Sequence, residues 1–200
     1  APTEAATMIE VLSKFDTQAE INADNLRTAE AALDLAKDLK PSAAKDDAEW
    51  DALQKAIANV TAAIAAYKAD EPLNAAKKAA RDMLAEKTAD PTQWGKWTSG
   101  MIAAVNAHID NATSADQLVE SALANVAADV ENAQNTAKDA IEDAAVAANA
   151  VKAGTIASVA EEKAAIDELS TKAAIDAAQA AAIKKIDNAV VAAVKSTLAT

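Results

Sequence analysis

The chain has 200 residues, with 19 basic and 31 acidic side chains and a formal net charge of −12. Alanine fills 59 positions, so the 52% apolar fraction leaves only 44 larger apolar side chains, of which five are aromatic: Phe15, Trp50, Tyr67, Trp94 and Trp97. With three glycines, four prolines and no cysteine, this composition argues against a β protein, whose strands want branched and aromatic residues and whose turns want glycine. It also excludes disulfides, thiolate metal sites and thiol catalysis.

Alanine has the best helix propensity and the rarest residues here are the helix breakers, so the chain is predicted to be all-α. The acidic balance, without a basic stripe, argues against nucleic-acid binding and against attraction to anionic membranes. No apolar run approaches the roughly 20 residues that span a bilayer, so no membrane insertion is expected. The opening Ala-Pro-Thr-Glu, lacking a methionine and a charged n-region, fits a processed secreted chain or an excised segment.

Along the chain, Met8, Leu12 and Phe15 predict a short first helix, and Leu26, Leu33 and Leu39 a second. Trp50, Leu53, Ile57, Val60, Ile64 and Tyr67 alternate steps of three and four, which places them on one helical seam. Asp70-Glu71-Pro72 and Asp90-Pro91-Thr92 each read as a helix start, with a capping residue ahead of a first-turn proline. A separate helix is therefore expected from Leu73 through Ala76, Ala80 and Met83 or Leu84. The next carries Trp94, Trp97, Met101 and Val105, with Ile102 and Ile109 beside them.

Thr113-Ser114-Ala115-Asp116 offers an N-cap for a helix bearing Leu118, Val126, Val130, Ala133, Ala137, Ile141 and Ala148. Nothing interrupts it before Gly154, which allows about 35 to 38 residues, on the order of 50 Å. Beyond Gly154-Thr155, the pattern from Ile156 to Leu198 fits one long return helix or two helices broken near Ser170-Thr171.

Candidate sites are few. His108 is the single histidine, without a second strong ligand or a nucleophile to serve, and reads as structural or solvent-facing. The pairs Asp46-Asp47, Glu142-Asp143, Glu161-Glu162 and Asp167-Glu168 sit in polar stretches, as solvated helix faces and dipole partners do. General acid–base work needs carboxylates that converge in a desolvated cleft. No catalytic residue, metal ligand or cofactor is assigned, and the chain is not expected to be an enzyme. The segment Trp94-Gly95-Lys96-Trp97-Thr98-Ser99-Gly100 holds two of three tryptophans and two of three glycines. Its tryptophans are read first as core fillers on one helix face. The alternative makes Trp94 and Trp97, with Met101, anchors for a protein partner, since tryptophan is favoured at interface hot spots. Asn59-Val-Thr61 and Asn111-Ala-Thr113 match the glycosylation acceptor pattern, a cheap match.

Three parts of the chain resemble known modules. Leu73-Asn-Ala-Ala-Lys77-Lys-Ala-Ala-Arg-Asp-Met-Leu84, followed by Met101-Ile-Ala-Ala-Val105 and Ile109-Asp-Asn-Ala112-Thr-Ser-Ala-Asp116-Gln-Leu118, resembles the GA-type three-helix module of Gram-positive cell-wall proteins. Ala48-Glu49-Trp50-Asp-Ala-Leu53-Gln-Lys-Ala-Ile57 is similar to the core of FIVAR modules, which alternate with GA modules in giant matrix-binding adhesins. The segments around Glu161 to Ile166, Ala173 to Ile175 and Ile183 to Asp187 resemble the alanine-rich helical repeats of the same proteins.

The resemblance implies tandem antiparallel three-helix bundles sharing long connecting helices, elongated overall. A bundle is expected over residues 1–71, a second over 72–128, and an alanine-rich hairpin or bundle over 114–200 that shares its first helix with the preceding module. It further implies a monomeric, non-enzymatic segment of a bacterial surface protein, attached to the cell wall in the full-length protein. Such a segment acts as a stalk spacer or adhesin, with a host extracellular or serum protein as partner. Two other classes compete: a helical carrier of a lipid or other apolar small molecule, and an ice-binding alanine-rich helix protein. The carrier needs a cavity lined by large apolar residues. The ice binder needs a regular uncharged face, which Lys and Asp interrupt here.

Overall fold

The computed structural model describes residues 1–199. The chain is all-α, 82% helical, with no strand among the described residues. It divides into two compact units, Ala1–Ala75 and the residues from Ala76 onward.

The first unit contains α1 (Glu4–Leu12), α2 (Leu26–Asp38) and the opening part of α3 (Asp47–Ala89). Thr3 caps α1 by accepting from the Ala6 amide at 3.1 Å, which satisfies one of the free amides of a first helical turn. Its hydroxyl also donates to the Glu49 carboxylate, which ties the start of α1 to the start of α3. On α2, Ala29, Ala32, Leu33 and Ala36 face inward, a helical stripe in which three of four side chains are alanine and the backbones can approach closely. They meet Ala5, Leu12 and Phe15 from the first segment and Leu53, Val60, Ala63 and Ile64 from α3. The seam expected from Trp50 to Tyr67 is the inward face of α3, with Leu53, Val60 and Ile64 buried and Trp50, Ile57 and Tyr67 half-buried.

One expectation fails here. Sequence reasoning starts a new helix at Pro72, but α3 runs through it without a break. A prolyl nitrogen has no hydrogen, so the Lys68 carbonyl loses its partner one turn on, and an interior proline costs about 3 kcal/mol. Residues 68–72 are all exposed, so water can take the freed carbonyl, and the helix continues.

The second unit contains the rest of α3 and five further helices. They are α4 (Pro91–Trp94), α5 (Ser99–Asn111), α6 (Glu120–Val151), α7 (Ala160–Asp167) and α8 (Lys172–Ala199). The long helix expected from the Thr113 region is α6, shortened because Ala115–Leu118 forms a 3-10 turn and Val119 is extended. Gly154 follows it at φ +81°, a left-handed conformation that suits glycine.

Helix α6 is the spine on which α5, α7 and α8 pack. Polar contacts give their directions. Thr98, at the head of α5, bonds Gln134 midway along α6, and His108 near its end meets Gln117 just ahead of α6, so α5 runs antiparallel to α6. Lys163 pairs with Glu142 and Lys138 with Asp167, so α7 is antiparallel as well. Gln134 meets the Leu169 carbonyl just ahead of α8, whereas Lys152, just past α6, meets Thr197 near the end of α8. Thus α8 runs in the same direction as α6. Of the two alternatives left open by the sequence, the chain breaks at residues 168–171, where the Thr171 hydroxyl accepts from the Ala174 amide at 3.2 Å. The return path is α7 with its flanking loops.

Candidate partner-binding site

The tryptophan segment is built by three local signals. Asp90 caps α4: its Oδ1 accepts from the Thr92 hydroxyl at 2.8 Å and the Thr92 amide at 3.0 Å, and these bonds hold its carboxyl below the ordinary aspartate value. Gly95 then takes φ +80° and ends the turn; a Cβ there would meet nothing within 4 Å, so backbone handedness rather than space calls for glycine. Thr98 restarts the helix by accepting from the Met101 amide at 3.2 Å. The single helix expected to carry Trp94, Trp97, Met101 and Val105 is therefore two pieces with an irregular link.

The two indoles still meet. Their ring centroids lie 4.6 Å apart with planes 15° from parallel, an offset-stack separation. Lys87 Nζ sits 5.2 Å from the Trp94 ring centroid, within cation–π range. Trp94 Nε1 donates to Glu120 Oε1 at 3.1 Å, and the same oxygen pairs with Lys87. These partners, Lys87 first and Trp94 second, hold the Glu120 carboxyl below its ordinary value. Both tryptophans are half-buried and neither belongs to the buried core. The core-filling role read from the sequence is corrected accordingly. Met101 is only 2% exposed and lies on the buried face of α5, so it cannot serve as a surface contact.

The remaining candidates fall on structural duties. His108 Nε2 lies 2.7 Å from the Gln117 carbonyl oxygen. That oxygen can only accept, so Nε2 carries the proton and secures the turn leading to α6. Of the carboxylate pairs, Glu142 and Asp167 border one open depression, each beside a lysine. Asp46 accepts from the Glu49 amide at the head of α3, while Glu142 and Asp167 pair with different lysines. Glu162 is held below its ordinary value by its own backbone amide and by Lys185. Among the described residues no group of three or more His, Asp or Glu side chains is placed to hold a metal ion, and no helix is long and apolar enough to cross a membrane.

Sequence reasoning missed one residue at the centre of the second unit. Gln134 is 1% exposed, and both ends of its amide are used. Oε1 accepts from Thr98 Oγ1 at 3.0 Å, and Nε2 donates to the carbonyls of Asp167 at 3.2 Å and Leu169 at 3.1 Å. A buried amide bonded at both ends joins α5, α6 and the α7–α8 turn. Its signal was in the spacing, for Gln134 falls in step with Ala127, Val130, Ala137 and Ile141.

No family model matches this chain, and neither a curated protein nor a solved structure matches it.

Proposed function

We propose that this chain is a non-enzymatic module of a bacterial cell-surface protein, serving as an elongated stalk or adhesive segment that touches a host protein through Trp94 and Trp97. The observation that carries the reading is the seam of α6. Leu123, Ala127, Val130, Gln134, Ala137, Ile141, Ala145 and Ala148 are all buried, and half of them are alanine. Their steps of three and four average close to the 3.6 residues per turn of a straight helix. Such a seam closes helix on helix along its length with little interior volume, which suits a spacer better than the apolar chamber of a carrier.

A surface depression of about 580 Å³ beside α7 is bordered by the Lys138–Asp167 and Lys163–Glu142 pairs, a polar rim unlike an apolar ligand pocket. The stacked indoles supply what a spacer alone does not need: rigid aromatic area at the surface, fixed by Lys87 and Glu120. The surrounding net charge of −12 favours solubility and repels anionic polymers.

Native mass spectrometry of the purified chain tests this reading. The expected species is a monomer of 20.5 kDa without adducts. A stoichiometric lipid or chromophore would overturn the reading in favour of a carrier.

A further inference from the structure

We infer that residues 71–76 of α3 form a joint that opens locally while the helix on either side stays folded. Up to Asp70 the helix is held within the first unit: Lys68 Nζ pairs with Glu30 at 3.0 Å, and Gln18 Nε2 donates to Asp70 Oδ2 at 2.5 Å. From Lys77 onward it is held within the second: Lys77 Nζ donates to the Asp110 carbonyl at 2.9 Å, and Arg81 Nη2 to Asp110 Oδ1 at 2.5 Å. Between these ties, no side chain of residues 71–76 makes a hydrogen bond or ion pair among the described residues. Nor is any residue from 65 to 79 buried; the flanking buried positions are Ile64 and Ala80.

Pro72 lies in this same stretch and removes one helical hydrogen bond from it. Missing core, missing side-chain ties and a missing backbone bond thus coincide within two turns, and local opening is easiest where buried contacts are fewest. Opening frees the amides of Leu73, Asn74, Ala75 and Ala76 from their acceptors at residues 69–72. Six residues passing from helix at 1.5 Å each to extended chain at about 3.3 Å each lengthen the segment by about 11 Å.

The mechanical use of this joint rests on the stalk reading: a tethered stalk under load extends here before either core is broken. The opening itself rests on α3 alone. Amide hydrogen exchange on the full chain tests it. Residues 73–76 are expected to exchange about a hundredfold faster than residues 53–64, whose seam is buried. Pro72→Ala restores the Lys68 bond and is expected to slow residues 73–76 by about tenfold or more, with residues 53–64 unchanged. Equal protection in both segments, or no response to Pro72→Ala, would overturn the joint while leaving the stalk reading standing. A bound lipid would overturn the stalk and leave the exchange result intact.

Discussion

Gly100 packs directly against the Leu169 carbonyl, so closely that a Cβ on it would stand 2.6 Å from Gln134 Nε2 and well inside contact distance of the carbonyl oxygen. This glycine is needed for room, not for backbone freedom. It lets the first turn of α5 sit on the α7–α8 turn while Gln134 bonds both. Gly100→Ala forces α5 away from that turn and is expected to destabilise the chain by about 1–3 kcal/mol. Urea unfolding checks this as a lowered midpoint with an unchanged slope; a wild-type midpoint would show that the contact yields freely.

Gln134 stands in the same contact. Gln134→Leu fills similar volume but leaves the Thr98 hydroxyl and two carbonyls without their buried partner, at an expected cost of about 2 kcal/mol or more. Because Gly100 and Gln134 touch, combining Gly100→Ala with Gln134→Leu should cost less than the sum of the single changes. Additive effects in thermal or urea unfolding would separate the two sites.

Glu120 makes the tryptophan site pH-dependent. Its carboxyl lies below the ordinary glutamate value of 4.5 in the folded chain. A depressed folded value contributes stability above the unfolded value, and that contribution is lost as pH falls through the folded one. The Lys87–Glu120–Trp94 contact should therefore hold at neutral pH and break below about pH 4.5. Tryptophan emission followed through an acid titration should show a step in that range, and Glu120→Gln, which removes the charge, should abolish the step. A step that persists in the variant would assign it to another carboxylate.

The stack itself has a spectroscopic signature. Two indoles 4.6 Å apart couple their transitions, so circular dichroism should carry an exciton couplet that either Trp94→Ala or Trp97→Ala removes completely. Both indoles are half-buried and outside the core, so each change is expected to cost well under the 3–5 kcal/mol of truncating a buried tryptophan. A couplet surviving either single change would contradict the stacked geometry.

Most helices were legible in the sequence because their apolar residues repeat at helical spacing. Trp50, Leu53, Ile57, Val60, Ile64 and Tyr67 announced the inward face of α3. Pro72 misled because a proline after an acidic residue has the form of a helix start, and only tertiary context shows that its turn is solvated. The tryptophan segment misled in the opposite sense: the three-residue step from Trp94 to Trp97 matched a helix, yet Gly95 between them and the Thr98 cap just after Trp97 outweigh it. On α6 the register was read through Val126 and Ala133, which are half-buried, instead of Ala127 and Gln134, which are buried. Periodicity places apolar residues well, but it gives no reason to put a glutamine at the centre of a bundle. That reason is the pair of carbonyls at Asp167 and Leu169, which are distant in sequence.

Small-angle X-ray scattering on the purified chain decides whether it forms the proposed elongated, ligand-free stalk. A compact domain of this length has a radius of gyration of about 17 Å. The stalk is expected to give a value well above that, with a distance distribution that tails to long separations. A radius of gyration near about 17 Å with a symmetric distribution would contradict it.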